Sequence, residues 1–234
     1  MEAIILAGGL GTRIKHLLGD RPKPMAMVAG KPFLEYILEY LSKNNFKKIV
    51  LSVGYLGEQI EDHFASSYCR MEIEYCHEQS PLGTGGAISL ALENSKLVNN
   101  EIFILNGDTF FEFNPVKYTD LMKSKDADII LGLKQIKNPH RYGTVELDAD
   151  NKIIKFLEKR KIEEGLINCG VYLIKKEFLN KFKLNNKYSF ENDFLELYLD
   201  KLNAFGIIEN GYFIDIGVER DFLKAQKDFN QSAH

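Results

Sequence analysis

Ala3 to Arg13 reads AIILAGGLGTR: an apolar run, a glycine turn and a cation, in that order. The run Ala3-Ile4-Ile5-Leu6 has the length and branching of a buried strand. Gly8, Gly9 and Gly11 lack a Cβ, so the backbone can turn tightly there and approach a ligand closely. A loop of exposed N–H groups beside a cationic side chain is a cradle for phosphate. Arg13 can fork onto phosphate oxygens, and a second basic cluster, RPKPM at Arg21 to Met25, holds Lys23 between two prolines as a fixed point charge. The pair of clusters, with Thr12, points to a nucleoside triphosphate site.

Other phosphate motifs fail residue by residue. A Walker loop needs Gly-Lys-Ser/Thr, and Gly30-Lys31 runs into Pro32. A dinucleotide fingerprint forced onto Gly9-Leu10-Gly11 puts its third small position on Ile14, and no acid follows the strand at Lys48 to Val53, which ends in Gly54-Tyr55.

Outward from this stretch, strands and helices alternate. Phe33, Ile37, Leu38 and Leu41 predict a helix over Phe33 to Asn44. Strands are expected at Lys48 to Val53, Met71 to Cys76, Glu101 to Leu105 and Ala127 to Leu133, with helices at Glu58 to Phe64, Gly85 to Leu92 and Pro115 to Lys123. That alternation indicates an α/β sheet with helices on its faces. The second half differs. A hairpin is expected at Gly143 to Leu147 and Lys152 to Phe156 around the polar turn Asp148 to Asn151. Asn168 to Ile174 and Phe205 to Ile208 read as strands, and Lys176 to Phe182, Glu191 to Leu202 and Val218 to Phe229 as helices. With no repeat or linker, residues 1–234 read as one domain, and its end soon after the last helix leaves no room for an appended acyltransferase domain.

Bulk properties narrow the partners. A chain of 234 residues can bury one good core. A net charge of −3 argues against nucleic acid as a partner. Cys69, Cys76 and Cys169 are odd in number and lack paired metal spacing, so reduced thiols in a cytoplasmic protein are expected. His16, His63, His77, His140 and His234 are scattered and suit surface or structural roles. Neither a signal peptide nor a membrane span is visible, so no membrane partner is expected. Oligomeric state stays open, a homo-oligomer included.

Two acids stand where open α/β sheets bind ligands. Asp108 ends the apolar strand Ile102-Phe103-Ile104-Leu105-Asn106-Gly107-Asp108, and Asp215 ends Tyr212-Phe213-Ile214-Asp215 ahead of a helix. Each alone also fits a turn or a helix cap. The loop Ser80-Pro81-Leu82-Gly83-Thr84-Gly85-Gly86-Ala87 leads into a helix, and its small residues would let a flat base lie against the backbone. Glu78, just upstream, could accept from the N1–H and amine of guanine, or be a solvated strand-end charge.

The stretch AIILAGGLGTRIKHLLGDRPKPMAMVAGKPFLEYILEYL, the loop PLGTGG, the run DIGVERDFLKAQ and three later segments together resemble the sugar-1-phosphate nucleotidyltransferases. Within that family the chain is similar to the guanylyltransferases acting on D-glycero-α-D-manno-heptose 1-phosphate. The pattern departs at His16-Leu17-Leu18-Gly19-Asp20, where the family often has Pro-Leu-Thr. The resemblance implies a single Rossmann-like, three-layer, GT-A-like domain with a mixed central sheet, its nucleotide-binding half at about 1–125 and its sugar-binding half at about 126–234. It implies nucleotide contacts from Leu6, Gly8, Gly9, Gly11, Thr12, Arg13, Glu78, Pro81, Gly83, Thr84 and Gly107, and Mg²⁺ on Asp108 and Asp215. Tyr142-Gly143-Thr144, Glu158-Lys159 and Asn168-Cys169-Gly170-Val171-Tyr172 match its sugar-side segments, which implies sugar-phosphate contacts from Gly143, Glu158, Lys159, Asn168 and, further on, Glu191. Arg13, Lys23, Asp108 and Asp215 would be the catalytic set.

The implied reaction joins GTP to the heptose 1-phosphate and releases pyrophosphate, in the making of a bacterial surface polysaccharide. The same chemistry with mannose 1-phosphate, or with UTP, CTP or dTTP and another sugar phosphate, is the nearer alternative. A non-catalytic homologue that binds sugar nucleotides and regulates a partner is the other.

Overall fold

The structure is a computed structural model and describes residues 1–9, 11–157 and 163–231. The chain opens with β1 (Glu2–Leu6), a short helix α1 (Lys15–Leu18), the ribbon β2 (Met27–Val28) and β3 (Lys31–Pro32), and α2 (Phe33–Lys43). There follow β4 (Lys48–Val53), α3 (Gly57–Phe64), β5 (Ser67–Tyr68), β6 (Met71–His77), α4 (Gly83–Asn94) and β7 (Glu101–Asn106). Strands β7, β1, β4 and β6 lie side by side and parallel, as strands joined by crossover helices must.

The centres of β1, β4 and β7 read as apolar runs, Ala3–Leu6, Ile49–Leu51 and Ile102–Leu105, because both faces are covered, whereas β6 alternates and buries Met71, Ile73 and Cys76. Alternate residues point to opposite faces. Ala3 and Ile5 of β1, Ile49 and Leu51 of β4 and Phe103 of β7 enter one core with Ile37, Leu38 and Leu41 of α2. Ile4, Val50, Ile102 and Ile104 enter a second core with Ile88 and Ala91 of α4 and with Phe190 and Phe194. The result is the expected three-layer α/β arrangement.

The second half contributes β8 (Thr109–Phe111), α5 (Pro115–Lys125), β9 (Ile129–Lys137), β10 (Thr144–Leu147), β11 (Ile153–Leu157), β12 (Glu164–Lys175), β13 (Ala204–Ile208), β14 (Phe213–Asp215) and α6 (Glu219–Gln231). Strand β12 inserts antiparallel beside β7, Val171 opposite Leu105 and Lys175 opposite Glu101, so both halves share one mixed sheet of ten strands among the described residues. Its first residues pair instead with β10, Ile167 opposite Thr144, and its register against β9 shifts between Asn168 and Tyr172.

One expected helix is not formed, and another is irregular. Lys176 to Phe182 holds a single 3₁₀ turn, Leu179–Lys181. Its entry is tied to neighbouring segments, Lys176 N–H donating to Asn100 O at 2.8 Å and Lys176 Nζ to Leu97 O at 2.7 Å. The stretch expected as a helix at Glu191 to Leu202 is helical but irregular: a π-helix, Phe190–Glu196, runs through residues 197–198 into a 3₁₀ turn, Leu199–Lys201. There Phe190, Phe194 and Leu195 are buried against the sheet, so the helical pattern is kept while its winding widens from α to π. The loop that departs from the family pattern folds as a 3₁₀ turn, Thr12–Ile14, running into α1, with Ile14 and Leu18 buried. Cys69, Cys76 and Cys169 are free thiols, and no helix among the described residues is long and apolar enough to cross a membrane.

Candidate functional site

The carboxyl ends of β1, β4 and β7 meet along one rim. Ala7 N–H donates to Ser52 O at 2.8 Å, Gly107 N–H to Leu6 O at 2.9 Å, and Glu78 N–H to Val53 O at 2.8 Å. A cavity of about 440 Å³ opens on this rim, lined by Leu6, Gly8, Gly9, Gly11, Thr12, Lys23, Glu78, Pro81, Gly83, Thr84, Asn106 and Asp108. Gly11 has φ +59°, and a Cβ there would press on the Lys23 and Leu18 side chains at 3.0 Å. The glycine turn therefore seats Lys23 as well as exposing N–H groups.

A second cavity, about 640 Å³, abuts the first and is lined among others by Arg13, Arg141, Gly143, Asn168, Glu191 and Asp215. Asn106 and Asp108 line both. Arg13 thus faces the second cavity, across the shared wall from the glycine loop. Gly107 lines neither: its missing Cβ makes room for Leu6 O, which would otherwise lie 2.7 Å away. Glu158 and Lys159 lie outside the described residues. A larger cavity, about 700 Å³, sits apart between α2 and α6, and the charges of Lys31 and Glu39 on its wall are spent on each other at 2.5 Å.

The loop at 80–87 owes its small residues to a neighbour. A Cβ on Gly85 would lie 2.0 Å from the Tyr188 ring, and one on Gly83 2.5 Å from Tyr188 O. Gly85 N–H donates to Tyr188 O at 3.0 Å and Tyr188 N–H to Leu82 O at 3.0 Å. The glycines let the segment around Tyr188 pack onto the start of α4, while Pro81, Gly83 and Thr84 still face the first cavity. Glu78 accepts the Leu82 N–H at 3.1 Å, which fixes its carboxylate at the cavity wall.

Asp108 and Asp215 are brought together by a ribbon. Strands β8 and β14 pair antiparallel with Thr109 opposite Asp215, and Ile216 N–H donates to Asp108 O at 3.1 Å. Lys23, only 6% exposed, donates to Asp108 Oδ2. Asp215 accepts the Gly217 N–H at 2.6 Å and Arg141 Nη2 at 3.3 Å, and Arg141 also bonds Asp221. Burial pushes the Asp215 carboxyl above its usual range and the Asp108 charge pushes it further, against Lys23, the Gly217 N–H and Arg141. A site with surplus affinity for a positive charge at two hard oxygen donors fits Mg²⁺, which uses one or two carboxylates and takes its other ligands from water and phosphate. No cluster of three or more metal-ligating side chains exists among the described residues.

Asn168 and Glu191 both reach the second cavity. Asn168 stands at the register shift in β12, and Gly170 beside it has φ +68°. Arg141 and Asn106 are functional candidates that the sequence did not single out. Asn106 lay inside the strand run read for its terminal acid. Arg141 precedes Tyr142-Gly143, and its link to Asp215 spans 74 residues, so the Tyr-Gly pair was its one local signal.

Comparison with known proteins places this geometry. The nucleotidyl transferase family model matches residues 2–232. A D-glycero-alpha-D-manno-heptose 1-phosphate guanylyltransferase of Campylobacter jejuni is 47% identical over 95% of this chain and 97% of its own length. One from Aneurinibacillus thermoaerophilus is 45% identical over 97% and 98%. The crystal structure of HddC from Yersinia pseudotuberculosis superposes with a TM-score of 0.85 at 35% identity, covering 97% of this chain and 99% of that one. HddC complexed with GMP-PN gives 0.84. With the matched span including the glycine loop, both acids and the described walls of both cavities, the chain belongs to the nucleotidyl transferase family.

Proposed function

We propose that this chain transfers the guanylyl group of GTP to D-glycero-α-D-manno-heptose 1-phosphate and releases pyrophosphate. The observation that carries this reading is the common wall: two cavities, each wide enough for a small ligand, meet at Asn106 and Asp108 with Lys23 beside them. A nucleotide in one and a sugar phosphate in the other would bring phosphate to phosphate at that wall. The names of the relatives favour GTP and the heptose phosphate, and Glu78, held by the Leu82 N–H, suits the N1–H and amine of guanine.

The acceptor phosphate oxygen attacks the α-phosphorus, the bond from that phosphorus to its bridging oxygen breaks, and pyrophosphate leaves with the electron pair. A phosphate monoester is already a competent nucleophile near neutral pH, so no general base is required. The barrier lies in bringing two anions together and in the charge that develops, and positioning and electrostatics lower it. Lys23, bonded to Asp108 at the common wall, would stabilise the α-phosphate, and Arg13, which lines the acceptor-side cavity, would meet the incoming sugar phosphate rather than the leaving pyrophosphate. Asp108 and Asp215 would hold Mg²⁺, which supplies Lewis-acid polarisation of the phosphates.

The test is pyrophosphate release with Mg²⁺ across GTP, UTP, CTP, ATP and dTTP, each paired with the heptose 1-phosphate and with common hexose 1-phosphates. Release confined to GTP with the heptose phosphate is expected. Release with a different pair would overturn the substrate assignment and keep the chemistry, and no release with any pair would overturn both.

A further inference from the structure

The two cavities are joined by more than a wall. Thr84 lines the nucleotide side and Glu191 the acceptor side, and the Thr84 hydroxyl donates to Glu191 Oε2 at 2.8 Å. The same hydroxyl accepts the Phe190 N–H at 2.8 Å, so it is spent on the turn that carries Glu191. The other carboxylate oxygen, Glu191 Oε1, accepts from Tyr172 OH at 2.9 Å. Tyr172 OH in turn accepts from Asn168 Nδ2 at 2.7 Å, and Asn168 Oδ1 accepts the Gly170 N–H at 3.0 Å.

The direction of each bond is fixed. A carboxylate oxygen only accepts, so Tyr172 must donate to it and is left to accept from Asn168. Asn168 therefore turns its amide one way, leaving one N–H and one lone pair for a ligand in the acceptor cavity. Tyr172 is wholly buried in the wall of that cavity, its hydroxyl spent on Glu191 and Asn168, so it acts through Asn168. The packing of Tyr188 against Gly83 and Gly85 locks the same two segments together through their backbones.

We propose that Glu191 and Tyr172 are positioning residues that couple the two sites. Seating of the nucleotide against Thr84 fixes Glu191, and Glu191, through Tyr172, fixes the Asn168 amide that receives the sugar. The inference rests on the transferase reading. It gives that reading a coupling between substrates: each ligand tightens the binding of the other by the same factor, as linkage requires.

Calorimetric titration with an α,β-non-hydrolysable GTP analogue and the heptose 1-phosphate, in Mg²⁺, tests this on the wild type, Tyr172→Phe and Thr84→Val. The wild type should bind the sugar phosphate about tenfold more tightly with the analogue present than without it. In either variant that ratio should fall below about twofold. In turnover, Tyr172→Phe should raise the acceptor KM by a larger factor than it lowers kcat. Thr84→Val interrupts the same relay from the other end, so the test survives if Tyr172→Phe does not fold. A wild type that binds both ligands independently, or a variant with undiminished coupling, would overturn the inference and leave the transferase reading intact. A wild type that binds neither ligand would overturn both.

Discussion

Burial and the neighbouring Asp108 both raise the proton affinity of Asp215, and the Lys23 ammonium, the Gly217 N–H and Arg141 work against them. The folded chain therefore holds that proton more tightly than the unfolded chain. The contribution of Asp215 to the stability of the metal-free protein should accordingly be fully present below the ordinary carboxylate range and be lost as pH rises through the raised pKa. At neutral pH Asp215→Asn should remove this penalty, raising Tm in EDTA while abolishing pyrophosphate release. Lys23→Met should move stability the other way. It removes the ammonium that neutralises the paired acids, at a cost of about 1–3 kcal/mol by denaturant titration. Both variants should be inactive, so activity separates neither from a folding defect but the sign of the Tm change does. Mg²⁺ should stabilise the wild type by mass action and leave Asp215→Asn nearly unmoved. A lower Tm for Asp215→Asn in EDTA would show that its carboxylate is a structural asset and sink the argument.

Strand β12 does at the element scale what no single residue does. Its first part pairs with β10 on the acceptor side, its last part with β7 on the nucleotide side, and the shift between them places Asn168 at the cavity. Gly170 makes the shift possible: it is left-handed at φ +68°, and a Cβ would lie 2.4 Å from Asn106 Nδ2. Gly170→Ala should cost about 1–2 kcal/mol from the backbone alone. Because it also displaces Asn106 and Asn168, it should raise the acceptor KM more than the KM for GTP. Equal effects on both would mean the bulge serves stability only. Local signals made much of the surrounding frame legible in the sequence. Ala3–Leu6 of β1 and Ile49–Leu51 of β4 are apolar runs, α2 repeats Phe33, Ile37, Leu38 and Leu41 on one face, and Asp108 and Asp215 each end a short apolar strand. What stayed hidden is set by distant partners. The π winding of the helix that begins at Phe190 is fixed by its contact with Thr84, the 3₁₀ turn at Leu179 follows a lysine tied to Leu97 and Asn100, and Arg141 gains its role only where it meets Asp215.

The same strand bears on the molecule as a whole. A division at about residue 125 looks natural along the chain, since βαβ alternation precedes it and hairpins follow. In space the two parts interdigitate. Glu101 to Leu105 of β7 take their outer hydrogen bonds from Lys175 to Val171 of β12, and Thr109 to Phe111 of β8 pair with Asp215 to Phe213 of β14. Both cores also draw on both parts: Ile102 and Ile104 pack with Tyr172, Phe190 and Phe194, while Ile5 and Phe103 pack with Val171 and Phe222. A fragment of residues 1–125 would expose the edge of a central apolar strand and one face of each core, the arrangement that favours edge-to-edge association. We expect that fragment to aggregate or to give a collapsed, poorly dispersed NMR spectrum. The full chain should lose near- and far-ultraviolet circular dichroism in one coincident transition, despite its size. Two separated transitions, or a well-dispersed spectrum from the fragment, would mean that the nucleotide half folds alone. Coupling between the cavities would then have to cross a domain boundary, whereas a single transition places the relay from Thr84 to Asn168 inside one cooperative unit.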